Sequence, residues 1–117
     1  TLAGTNAERT AAIAGEEDIV TLFEAFPDRA YTPEGTLVSR RLPGAVIHDP
    51  EKAADRAVRM AIEGAVIAVD GTRVPLTVHT LCVHGDNPNG VALAATLRKR
   101  LEEAGVAVRP MAQSLPR

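Results

Sequence analysis

Over residues 19–26 apolar side chains occupy both alternating sets of positions, with Ile19, Phe23 and Ala25 on one and Val20, Leu22 and Phe26 on the other. That pattern predicts a strand with both faces largely covered, and Pro27 ends it. Ahead of it, Thr5 or Asn6 can cap a short helix over 7–14 that Gly15 stops. Behind it the periodicity is lost over 28–43. This long stretch holds Pro33, Gly35 and Pro43, and loops of such length in compact domains tend to carry function.

A short strand over 44–48 comes next. Asp49-Pro50-Glu51 is a helix start, with a capping carboxylate, proline at the first helical position and an acid in the first turn. The helix runs to Glu63 with Ala54, Val58, Ala61 and Ile62 as its apolar face, and Gly64 terminates it. Residues 65–69 form a strand, joined by the tight-turn pair Asp70-Gly71 to another over 73–78. A last long strand covers 80–84. Asn87 then caps a helix from Pro88, on which Ala94, Leu97, Leu101 and Ala104 recur at helical spacing until Gly105 closes it. Residues 106–108 suit a final short strand, and 109–117, with two prolines, a loose tail. Strands alternating with helices make this an α/β chain.

Composition narrows the picture. The 117 residues fit one domain, and 45% hydrophobic with 24% charged is the balance of a globular protein. With two Phe, one Tyr and no Trp, the core must be built from Ala, Val, Leu and Ile. Each of these contributes little area, so such a core gains from surface supplied by another segment. The net charge is −2 and the longest basic run is Arg98-Lys99-Arg100, which argues against nucleic acid as a partner. The single Cys82 excludes an intrachain disulfide framework, and no stretch approaches the ~20 apolar residues of a membrane span. A cytoplasmic location is the resulting expectation. Thr1-Leu2-Ala3-Gly4 reads as the end of a strand already under way, so the chain is expected to be the carboxyl-terminal part of something longer.

The candidate chemistry clusters where predicted strands release their loops, which is where α/β proteins bind ligands. Alternation along 80–84 sends Cys82 and His84 to one face and Leu81 and Val83 to the other. His84 can then serve as general acid or base, substrate donor or metal ligand, or else support the strand end. Asp86 is a turn or cap residue or a partner in that chemistry, and Gly85 between them marks a sharp turn. Asp28 and Arg29 follow the earlier strand. Arg29 and Arg40 offer planar donors for a carboxylate or phosphoryl group, with a salt bridge pinning the loop as the plainer role. Tyr31 either packs over that loop or donates to a ligand. Cys82 belongs in the core, His48 reads as an exposed linker residue, and His79 shares the parity of Leu81 and Val83. The three histidines lack metal-site spacing and no glycine-rich nucleotide fingerprint is present.

Two stretches taken together carry a family resemblance. They run Phe26-Pro27-Asp28-Arg29-Ala30-Tyr31-Thr32-Pro33-Glu34-Gly35-Thr36-Leu37-Val38-Ser39-Arg40 and Thr80-Leu81-Cys82-Val83-His84-Gly85-Asp86-Asn87-Pro88. They resemble the LamB/YcsF family, whose pattern F-A-D-R-x-Y-x-x-x-G-x-L-x-x-R is followed by G-A-x-I and later by T-x-C-x-H-G-D. Gly44, Ala45 and Ile47 match the middle element, and Leu2-Ala3-Gly4 fits the family's L-A-G strand end. Pro27, Ser39, His79 and Asn89 depart from the usual residues, and none removes a matched polar group.

The resemblance implies the carboxyl-terminal part of a distorted TIM-like (β/α) barrel of the glycoside hydrolase/deacetylase type, here over residues 1–108. It further implies hydrolysis of the 5-oxoproline lactam to L-glutamate, coupled to ATP hydrolysis and performed with 5-oxoprolinase B and C subunits. His84 and Asp86 would orient water or move protons, while Asp28, Arg29, Tyr31 and Arg40 would bind substrate. The family's N-A-D-x-G-E segment and histidine-rich motifs are absent, so the remaining catalytic groups are expected on an amino-terminal half or partner chain. Two alternatives stay open: a deacetylase-type hydrolase in which His84 and Asp86 join other ligands around a divalent metal, and a non-catalytic chain that completes a barrel with another.

Overall fold

The structure, a computed structural model, describes residues 7–86 and 88–111 and holds three helices and four short strands among them. The order is α1 (Ala7–Glu16), β1 (Glu24–Ala25), α2 (Pro50–Glu63), β2 (Ala65–Ile67), β3 (Arg73–Pro75), β4 (Thr80–Leu81) and α3 (Gly90–Glu103). This is an α/β fold. β1 and β4 pair in parallel, Glu24 opposite Thr80 and Ala25 opposite Leu81. β2 and β3 form an antiparallel hairpin closed at Asp70-Gly71, where the Asp70 carboxylate accepts from the Thr72 amide at 2.9 Å and Gly71 takes φ +90°.

α2 has the limits that its capping residues dictate. Asp49 is extended and its carboxylate accepts from the Glu51 amide, Pro50 opens the helix, and Gly64 ends it in the left-handed region with its N–H on the Met60 carbonyl. The buried face differs from the expected one. Ala53, Ala54, Ala57 and Met60 are buried, Val58 is half-buried, and Ala61 and Ile62 are exposed. Ala53 and Ala57 pack against Leu93, Leu97 and Leu101 of α3, so the small side chains, not the large ones, mark where the second helix comes close.

Several other boundaries move. α1 runs through Gly15 to Glu16, and its expected caps Thr5 and Asn6 lie outside the described residues. The strand expected over 19–26 shrinks to Glu24–Ala25, with Ile19 and Val20 exposed. Those expected over 65–69, 73–78 and 80–84 are likewise shorter. Residues 44–48 make a single bridge, Val46 to Arg29, and 106–108 form no strand. A β pattern becomes a ladder only where a partner lies alongside, and among the described residues β1 and β4 have only each other. α3 starts at Gly90 after Asn89, not at Pro88, and Leu93 takes the buried position expected of Ala94; Asn87 lies outside the described residues. A Cβ on Gly90 would stand 3.1 Å from the His84 carbonyl, so α3 begins pressed against the end of the β4 segment.

The core has the predicted aliphatic character. Ala25, Tyr31, Met60, Val66, Ala68 and Val74 form one cluster, the α2–α3 contact a second, and Leu81 packs against both. Leu81 therefore ties the strand pair that carries the candidate residues to both of these clusters, while Ala30, Val38 and Ala45 form a third. No helix among the described residues is long and apolar enough to cross a membrane.

Candidate functional site

Parallel pairing makes β1 and β4 release their loops at the same end. The pairing continues past β4, with the Cys82 amide on the Ala25 carbonyl at 2.8 Å. Asp28 and His84 stand at the same offset as the paired residues before them and meet: the imidazole Nδ1 lies 3.1 Å from Oδ1 and 3.0 Å from Oδ2 of the carboxylate. A carboxylate only accepts, so Nδ1 carries the hydrogen and Nε2 is the basic nitrogen of the neutral ring. Asp28 is 1% exposed, His84 is half-buried, and the Phe26 ring stacks on the imidazole with centroids 5.5 Å apart.

The turn that presents Asp28 is built from buried polar contacts. The Asp28 carbonyl accepts from the Ile47 amide at 2.8 Å, and the Tyr31 hydroxyl accepts from the Phe26 amide at 3.0 Å. Burial pushes the Tyr31 phenol above its ordinary pKa. Arg29 folds inward, not out over the rim. It donates Nη2–H to the Val38 carbonyl at 2.9 Å, and its buried Nε has no hydrogen-bond partner. Arg40 and Asp86 form an exposed ion pair at 3.4 Å across the mouth. Between them lies a cleft of about 170 Å³ lined by Asp28, Arg29, Arg40, His48, His84 and Asp86.

The structure thus brings together five of the six residues singled out above and leaves Tyr31 in the core, with its hydroxyl on the Phe26 amide. Burial, with the negative charges of Glu24 and Asp28, pushes the Cys82 thiol up, which disfavours the thiolate a nucleophile needs. His79 sits at the far end of the strand pair, where its Nδ1 accepts from the Phe23 amide at 2.9 Å. Among the described residues no group of three His, Cys, Asp or Glu side chains is placed to hold a metal ion.

Sequence reasoning missed Arg56. Its guanidinium donates Nε–H to the Pro27 carbonyl at 3.0 Å and Nη2–H to the Arg29 carbonyl, the carbonyls of the two residues that flank Asp28 in sequence. The signal was present: Arg56 lies three residues after Ala53 and four before Met60, on the stripe that α2 buries.

The LamB/YcsF family model matches residues 1–116. A protein from Streptomyces griseus, named as the A subunit of 5-oxoprolinase, is 52% identical over 109 residues, 93% of this chain and 44% of the relative. One of the same name from Thermococcus sibiricus is 52% identical over 96 residues, 82% of this chain and 38% of the relative. The crystal structure of a lactam utilization protein from Thermus thermophilus superposes with a TM-score of 0.81 at 47% identity, over 93% of this chain and 42% of that one. The chain therefore spans less than half the length of these relatives. Matched along nearly its whole length by the family model, and sharing both residues and backbone with a solved relative, the chain belongs to the LamB/YcsF family.

Proposed function

We propose that this chain is the carboxyl-terminal portion of a 5-oxoprolinase A subunit, which opens the 5-oxoproline lactam to L-glutamate at the expense of ATP. The observation that carries the reading is the buried Asp28 carboxylate on His84 Nδ1, inside a cleft that also holds two arginines. Names of the relatives supply the substrate class, and the pair supplies a group suited to it. His84, oriented by Asp28, takes a proton at Nε2 from the attacking water and returns it to the ring nitrogen as the C–N bond breaks. Arg29 and Arg40 hold the substrate carboxylate or the developing oxyanion. Asp86 sets the position of Arg40. ATP would supply the phosphoryl group that makes the lactam carbon electrophilic enough for water to attack; the opened chain would then carry an acyl phosphate, which a second water would hydrolyse to L-glutamate and phosphate. At about 170 Å³ the cleft lies below the ~300–1,000 Å³ usual for drug-sized ligands, which suits a small ring acid and leaves the nucleotide to groups outside the described residues.

The same reading makes residues 1–108 part of a distorted TIM-like barrel whose other strands come from an amino-terminal half. Two features support it: β1 and β4 have no further strand beside them among the described residues, and an open apolar groove of about 500 Å³ runs past Val78, Leu81, Val83, Leu97, Leu101 and Val106. Other subunits of the enzyme, B and C, complete the activity, and ATP use together with a lone cysteine suits the cytoplasm. The test is to incubate the complete subunit, with its B and C partners, with 5-oxoproline and ATP. Glutamate and ADP should appear in equal amounts; an absence of glutamate overturns the reading. One observation favours a second reading, because metal-ligating histidines also donate their second ring nitrogen to a carboxylate. Activity that needs no ATP and disappears with a chelator would select a metal-dependent hydrolase of the deacetylase type.

A further inference from the structure

Asp28 hydrogen-bonds His84 with both carboxylate oxygens from within a turn that has no regular secondary structure. A carboxylate in such a turn points where its backbone points it, and the backbone is held by what its carbonyls meet. Three consecutive carbonyls have fixed donors. That of Asp28 accepts from the Ile47 amide, while those of Pro27 and Arg29 accept from the one guanidinium of Arg56. A planar fork with two donors at a set spacing fixes both the distance and the angle between the peptides it holds. Here the Pro27 carbonyl belongs to the peptide that sets φ of Asp28 and the Arg29 carbonyl to the peptide one residue beyond, while the peptide between them, which sets ψ of Asp28, is held by Ile47. The fork is itself anchored, because Arg56 leaves α2 from between the buried Ala53, Ala57 and Met60.

We propose that Arg56 is a positioning residue for the Asp28–His84 pair: by clamping the carbonyls of the two residues that flank Asp28 it aims the carboxylate at Nδ1 and holds His84 in the tautomer whose basic nitrogen is Nε2. The guanidinium also sets a cation behind the carboxylate. Burial lowers the Arg56 pKa, and the negative charge of Asp28 opposes that shift. A lysine at this position would retain a charge and lose the fork.

The catalytic consequence rests on the function proposed above, whereas the tautomer does not, so the experiment reads both. In the complete subunit labelled with 15N-histidine, long-range spectra distinguish a protonated ring nitrogen from a bare one. Wild type should show Nδ1 of His84 protonated, and Asp28→Asn should provide the reference for a ring released from the carboxylate. Arg56→Lys and Arg56→Met should move the His84 signals toward that reference. Turnover in the reconstituted enzyme should fall by about tenfold or more with KM unchanged, as for residues that orient a catalytic group without touching substrate. Folded variants with the wild-type His84 spectrum overturn the proposal, whatever happens to activity. Loss of the fold in both variants overturns it too, in favour of a purely structural arginine. Shifted His84 signals in an enzyme that does not open 5-oxoproline at all would leave the positioning role standing and remove the proposed function.

Discussion

Two histidines sit at opposite ends of the β1–β4 pair, and each bonds through Nδ1 to a residue 56 positions earlier. His79 lies against Phe23 and His84 against Phe26, with ring centroids 5.8 and 5.5 Å apart. Their chemistry is opposite. His79 Nδ1 accepts a backbone N–H, so its hydrogen is on Nε2, whereas His84 Nδ1 donates to a buried carboxylate and keeps Nε2 bare. What separates them is the partner that the loop supplies. At the His79 end it is an amide, which ties two segments together; at the His84 end it is Asp28, which selects a tautomer suited to proton transfer.

The comparison breaks most visibly through activity. In the complete subunit with its partners, His84→Ala should lower turnover by roughly 100-fold or more, about 2.7 kcal/mol in barrier height, while His79→Ala leaves it at the wild-type level. Equal losses in two folded variants would mean that neither ring takes part in the chemistry. Arg29→Lys tests the wall of the same cleft: a point charge cannot supply the Val38 contact and a substrate contact together, so activity should fall and raising the substrate concentration should not restore it.

A smaller effect sharpens the same end of the molecule. Tyr31→Phe leaves the Phe26 amide without its acceptor beside the stacked His84 ring, which should cost about 1–3 kcal/mol in a denaturant titration. Because the folded-state pKa of Tyr31 is raised above 10.0, its contribution is complete below the unfolded value and is lost as pH rises through the folded one. The gap between wild type and variant should therefore narrow only in strong alkali; a gap constant through that range would contradict the raised pKa. The smallest effect belongs to the other end, where His79→Ala removes one exposed hydrogen bond, and a stability loss of about 1 kcal/mol is expected.

Residues that interact within a few positions were legible without the fold. Asp49, Pro50 and Gly64 define α2 because a cap bonds its own first or last turn, and Asp70-Gly71 closes the β2–β3 hairpin for the same reason. The aliphatic core also follows from composition alone, and the two matched stretches were enough to raise the family. Tertiary structure decided what depends on distant neighbours. It shortened the strand expected over 19–26, since Ile19 and Val20 find no ladder, and it buried Ala53 and Ala57 where α3 crosses instead of Ala61 and Ile62. It alone joined Asp28 to His84 and put Arg56 behind them. Sequence determines the local geometry that each segment can adopt; which donor meets which acceptor across the chain depends on strand register and helix approach, and these exist only once the segments have packed.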